Sequence, residues 1–403
     1  MKIAPPHNLS LYIGLILLML LSGCGIDQKD IQPEQEFIKI YNHPDEQLAY
    51  YPESLLELED GGFLFLAAVK DESAEIEYPT ASLVRTSATG KMVWSRSYDW
   101  LAPAPRLIRS GNGFGFVAMD QQFEAHAVMV DVAGGDITAA HPLEVTMPLV
   151  AYQDQDEKLL VLGYDFVSRS SWIARFSDNF ILERSVQLPV NTDLEYLIQR
   201  HLNRTGQDFP FFMGSYDYTG ESGYYVNCFY NYTLRAMFLD HSSLGATGDI
   251  YSFQTEEGIS SLIHQSENRF GLTSYYEGNN YMISGAAIDV HASQNIKDLP
   301  GSPLYELTQK AAVRAQNISV DGTAYTLMVS QTHSNALVCY QFLSDTDSLV
   351  STHHVTFDER VEVADFIQTE DGGVTILASN HILGKYRRPV LVKMREEEFL
   401  VGE

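Results

Sequence analysis

Short apolar stretches recur along the chain between polar turns, and extended runs of helical period are absent. One unit appears seven times: a polar turn, often with glycine, then an apolar strand ending near a small residue. The copies begin at Asp60-Gly61-Gly62, Gly111-Asn112-Gly113, Asp156-Glu157-Lys158, Gly206-Gln207-Asp208, Glu267-Asn268-Arg269, Asp321-Gly322-Thr323 and Asp371-Gly372-Gly373. Ala67 in the first copy and Ala378 in the last set a period of about 52 residues. Each copy follows another apolar stretch: Leu55-Leu56, Leu107-Ile108, Leu149-Val150, Leu197-Ile198, Leu262-Ile263, Ala312-Val313 and Phe366-Ile367. Asp-Gly and Gly-Asn-Gly permit the positive φ that tight hairpins need, so each pair of stretches is expected to form a hairpin. A third strand follows, as in Ser82–Arg85 and Val390–Lys393, and a fourth is visible at Val93–Arg96.

Four strands in a unit of this length is the signature of propeller blades. The expected fold is all-β: a seven-bladed β-propeller of four-stranded blades. The last unit ends after its third strand. Phe37–Tyr41 is therefore expected to supply the outer strand of the last blade, closing the ring and removing an open edge. A β-sandwich pair or a β-solenoid would repeat less evenly or at a shorter period.

The first residues read differently. Lys2 precedes an apolar run, Leu11–Leu21, that is too short to span a bilayer, which takes about 20 residues. It has the length of a signal-peptide core and ends in Leu21-Ser22-Gly23-Cys24. That tetrapeptide resembles the bacterial lipobox, which implies lipidation at Cys24 and removal of residues 1–23. The polar stretch 24–36 is expected to be a flexible tether and residues 37–403 the propeller domain. The implied address is the cell envelope, lipid-anchored to the outer membrane on its periplasmic face or at the cell surface. The acidic residues soon after Cys24 resemble, loosely, the surface-export signal of Bacteroidetes lipoproteins.

Charge narrows the partners. The chain has 53 Asp plus Glu against 26 Lys plus Arg, a formal −27, and lacks the basic footprint that nucleic-acid binding needs. Cys228 and Cys339 sit in apolar runs without a CxxC pair or a nearby ligand histidine and read as buried free thiols. No metal or cofactor is implied. The first unit resembles the blade repeat of Bacteroidetes lipoproteins and secreted propellers. Within it, Thr89–Trp94 resembles the tryptophan-docking repeat of quinoprotein dehydrogenases. That motif occurs once, so quinone binding is not implied.

Residues ending the first strand of each unit are expected to face a central channel: Glu57, Arg109, Tyr152, Gln199, His264, Gln316 and Gln368. Such a polar ring either binds a ligand or only solvates the channel. Arg204 and Arg235 could meet an anionic substrate, and Tyr216–Tyr225 reads as an aromatic loop or a packing surface. The function expected is a membrane-anchored, non-catalytic propeller that binds a protein partner or a glycan. A carbohydrate-active propeller enzyme, either a glycoside hydrolase or a polysaccharide lyase, and a subunit of an outer-membrane assembly or secretion complex are the alternatives.

Overall fold

A computed structural model of the chain describes residues 36–42, 48–71, 77–111, 113–206, 208–254, 256–299, 301–382 and 386–396. The segment 1–35, with Cys24 and nearly all of the expected tether, lies outside them.

Among the described residues the strands form six hydrogen-bonded sheets. The first sheet has eight strands and runs from Leu48–Glu57 to Ile137–Thr146. The second spans Pro148–Gln153 to Leu182–Pro189. The third spans Met213–Tyr218 to Ala246–Tyr251, with Ser293–Asn295 added in parallel as a fifth strand. In the fourth, Gly258–Ser266, Arg269–Tyr276 and Asn279–Ala287 end on the two-residue Ser302–Pro303. The fifth spans Arg314–Val320 to Leu349–Thr356. The sixth holds Val361–Gln368, Val374–Ile382 and Tyr386–Met394, with Phe37–Ile40 as its outer strand, paired antiparallel from Phe37↔Lys393 to Ile40↔Val390.

This inventory corrects the expected ring of seven four-stranded blades. Five sheets stand as separate blades, and the first two repeat units are joined in one eight-stranded sheet. The joint is a single pair, Leu101↔Met119, where the strand Met92–Leu101 leads directly into the next unit. The Ala104 N–H then bonds the Val117 carbonyl at 2.8 Å, so the connecting chain stays against the strand Gly113–Met119. The expectation that a strand closes the ring is corrected as well. The backbone bonds of Phe37–Ile40 stay inside the sixth sheet. The first and sixth sheets are joined by side chains instead. Phe37 meets Phe63 edge-on at 6.3 Å, Tyr41 meets Phe65 at 5.3 Å, and the Tyr41 hydroxyl donates to the Gly90 carbonyl at 2.8 Å. A Cβ at Gly90 would lie 2.6 Å from the Phe37 ring, so this junction requires glycine there.

Face-to-face packing explains the apolar runs that lack strict alternation. From Phe63 to Lys70 every residue is buried, because both faces of that strand meet protein. Burying each large side chain contributes roughly 1.5–3 kcal/mol. Cys228 and Cys339 are buried free thiols in different sheets, as their apolar settings imply, and burial pushes both up to about 12. Neither is a nucleophile at neutral pH.

The fourth repeat departs from the pattern. Leu197-Ile198 was expected to be a strand but lies in the helix Glu195–Leu202. Leu194, Ile198 and Leu202, four residues apart, bury one helical face in the cluster that also holds Leu160, Leu162 and Val226. The turn expected at Gly206-Gln207-Asp208 does not lead into a second strand. The innermost strand here is Met213–Tyr218, and Tyr218–Glu221 turns into the next. Tyr216, Tyr224 and Tyr225 are consequently buried and form a packing surface, not a loop.

Phe65 is fully buried between the first and sixth sheets. Phe65→Ala is expected to cost about 3–5 kcal/mol in urea unfolding with little change in m-value. A loss below about 1 kcal/mol would contradict the packing described.

Candidate functional site

Sheets packed around a common axis leave space along it. Here that space is two chambers, of about 380 Å³ and about 480 Å³. Glu53, Pro105, Phe211, Ser260, Arg314 and Ala364 line both and so form the waist between them.

The first chamber is shaped by the insertion that carries the helix, residues 190–212. Two contacts pin it across the axis, and a third closes it on itself. Lys70 Nζ donates to the Asn203 carbonyl at 2.9 Å. Arg200 Nε bonds the Thr205 carbonyl at 2.9 Å, closing a turn in which Arg204 takes a left-handed φ of 55°. Arg204 then forms a buried ion pair with Glu53 of the first sheet. The insertion thereby places His201, Arg204, Asp208 and Phe209 in the chamber wall.

The electrostatics of this wall follow from burial and neighbours. The Glu53 carboxyl is pushed up to about 7, because burial outweighs the attraction of Arg204 and Arg314. Burial lowers His201, which is 4 % exposed, so its imidazole is neutral. Its Nδ1 accepts from the Phe209 N–H at 3.2 Å and lies 3.4 Å from Asp208 Oδ1. The Asp208 side chain is 86 % exposed and lines the first chamber, although protein crowds around it. Crowding opposes its ionisation, yet the positive charges of Arg204 and Arg314 hold its carboxyl below the usual carboxylate range. Glu362 is likewise held at about 2 against its burial by His381, Arg387 and Arg360, the last at 2.6 Å.

Five cations, Arg204, Arg314, Arg360, Arg387 and Lys310, therefore face three carboxylates, Glu53, Asp208 and Glu362, within a chain of formal charge −27. Four of the five are committed: Arg204 to Glu53, Arg360 and Arg387 to Glu362, and Lys310 to Glu256. Arg314 differs. Its Nε donates to the Ala364 carbonyl at 2.5 Å, and among the described residues its terminal amines have no hydrogen-bond partner. A guanidinium half-anchored in this way presents a planar donor pair suited to a carboxylate or sulfate.

With this geometry in place the chain can be compared with known proteins. No family model and no curated protein sequence matches it. Solved structures do. The polysaccharide lyase Uly1 matches with a TM-score of 0.51 at 8% identity, over 90% of this chain and 99% of that one. The WD40 propeller domain of Doa1 matches with a TM-score of 0.50 at 9% identity, over 91% and 98%. The chain has a β-propeller fold. Identities this low carry the fold and nothing about chemistry.

The expected channel residues divide. Tyr152, His264 and Gln316 line the second chamber, where the Tyr152 hydroxyl meets Ser215 Oγ at 2.9 Å. Glu57, Arg109 and Gln368 instead stitch neighbouring inner strands together at their ends. Glu57 Oε2 accepts from the Glu370 N–H at 2.8 Å, and Arg109 donates to the Glu57 carbonyl at 3.3 Å. The Gln368 amide bonds both N–H and C=O of Ser319, at 3.1 and 2.7 Å. Gln199 stands on the helix and is not at a strand end. Of the two arginines singled out, Arg204 reaches the cavity, while Arg235 pairs with Asp249 at 2.8 Å.

Sequence reading missed Glu53, His201, Asp208 and Arg314. The expected residues are at the exits of the inner strands, whereas Arg106 and Arg314 stand at their entrances and Glu53 at a register shift within Leu48–Glu57. A charged residue just before or at the start of an apolar stretch was the available signal. For His201, Ile198 and Leu202, the four-residue spacing from Leu194 marked the helix.

Glu53 makes a pH prediction. Its folded carboxyl titrates near 7, above its ordinary 4.5, so the folded state holds the proton more tightly. That contribution to stability is complete below about pH 4.5 and is lost as pH rises through about 7, on the order of 3 kcal/mol in all. Unfolding measured across this window is expected to show that decline in the wild type and not in Glu53→Gln. Parallel pH profiles for the two would contradict the assignment.

Proposed function

We propose that the protein is an envelope-anchored, non-catalytic binding protein for an acidic glycan. On this reading lipid on Cys24 holds it to the membrane, and the cavity receives a carboxylate of the glycan at Arg314. The Arg314 guanidinium at the waist, whose terminal amines have no hydrogen-bond partner among the described residues, is the observation that carries the proposal. The surroundings support it. Tyr51, Phe209, Phe211 and Tyr275 give the first chamber aromatic walls, which suit the apolar faces of sugar rings. The excess of cations in an otherwise acidic protein favours an anionic ligand there over a neutral one. The lipobox-like Leu21–Cys24 supports the anchor.

Calorimetric titration with trigalacturonate and with a neutral galactose trimer tests the binding. Trigalacturonate is expected to bind and the neutral trimer not. Arg314→Ala is expected to lose about tenfold to a hundredfold, the worth of a charge-assisted hydrogen-bond pair. Equal binding of both trimers would contradict the proposal. The anchor is tested by fractionation: the wild type is expected in membranes and Cys24→Ala in the soluble fraction.

Glu53 supports a second reading, elimination by a lyase. A carboxyl near 7 is matched to removing the proton beside a uronate carboxylate at neutral pH. Tyr275 lines the same chamber, and burial keeps its hydroxyl protonated, so it can supply a proton to the leaving oxygen. A rise in ultraviolet absorbance on mixing with polygalacturonate, abolished by Glu53→Gln, would establish this reading. A flat trace with intact binding supports the non-catalytic one.

A further inference from the structure

We infer that the second chamber holds a second anion subsite, built on Arg106, so that the ligand is a linear polyanion running through the waist. The inference rests on the reading of Arg314 given above and extends it from one acidic group to at least two.

Arg106 lines the second chamber and not the first. Its side chain is exposed there, and among the described residues it has no hydrogen bond, ion pair or ring contact. Its backbone is the more unusual feature. Arg106 has φ 116°, a conformation that a residue with a Cβ rarely adopts. The neighbouring residues hold it there. The Pro105 carbonyl accepts from the Ala151 N–H at 3.2 Å, and the Leu107 N–H donates to Ser54 Oγ at 3.0 Å. Two sheet contacts thus fix the residue in a strained turn, while its guanidinium is left unengaged over the cavity. Strain kept in place by its surroundings is concentrated at functional sites.

The chamber is lined by two arginines, Arg106 and Arg314, and by three carboxyl groups, two of which are engaged by the fold. Asp365 is bonded to the Leu55 and Phe366 N–H groups, both at 2.9 Å, and Glu53 is paired with Arg204. Asp217 remains, opposed by Arg106 and Arg314. The rest of the wall offers the hydroxyls of Tyr152 and Ser215 and the amide of Gln316, groups that hydrogen-bond sugar hydroxyls. An anion on Arg314 at the waist and another on Arg106 beyond it describe a chain with repeated acidic residues. A single small carboxylate would leave Arg106 without a role.

Calorimetric titration of the wild type with galacturonate and with its dimer and trimer tests this. Affinity is expected to rise at least tenfold from monomer to trimer. Arg106→Gly removes the guanidinium and suits φ 116°, so the variant is expected to fold at least as stably as the wild type. It should bring the affinity for trimer down to that for monomer, with Arg106→Lys intermediate. A trimer affinity equal in Arg106→Gly and wild type would overturn the second subsite and leave Arg314 standing. So would the absence of any gain from monomer to trimer in the wild type. Failure of both monomer and trimer to bind would overturn the reading of Arg314 as well.

Discussion

Sheets that bury both faces against their neighbours cannot also fill the axis they surround, and this geometric constraint governs the molecule. Strand edges converge there with their polar groups inward, and any side chain near the axis meets water or a charge. The chain meets the constraint in two ways. At the strand ends, amides and carboxylates such as Gln368 and Glu57 tie one inner strand to the next. In the first chamber, the insertion after the second sheet forms part of the wall, and Arg204 settles on Glu53. Removing either partner of that pair would strand the other in a poorly solvated site.

The consequence for chemistry is a division of labour among charged groups. Glu362 satisfies two arginines and approaches His381, and Glu53 satisfies a third, so most of the cavity's charge is structural. What is left over defines the site: the terminal amines of Arg314, the free guanidinium of Arg106, and the water-facing carboxylate of Asp208. On the proposed reading, binding energy for an anion comes from the groups the fold does not use.

The repeat was legible because hairpin turns and apolar strands are local features. Gly61-Gly62 before Phe63, and Gly372-Gly373 before Val374, mark strand pairs that formed as expected. How the sheets divide was not legible. It turns on one backbone pair, Leu101↔Met119, between residues whose sequence shows no sign of it. The helix was masked by an apolar pair that fits either period, and only the wider spacing of Leu194, Ile198 and Leu202 separates the two. The cavity wall was half legible. Tyr152, His264 and Gln316 line the second chamber because inner-strand exits face the axis there. Arg314 and Glu53 were not legible, because the setting of Glu53 comes from a partner 151 residues away and that of Arg314 from terminal amines without one.

A structure of the protein with trigalacturonate bound tests the central claim most directly. The account predicts a uronate carboxylate on the terminal amines of Arg314, at the waist between the two chambers. A ligand on the outer rim of the sheets, with the waist holding only solvent, would contradict it.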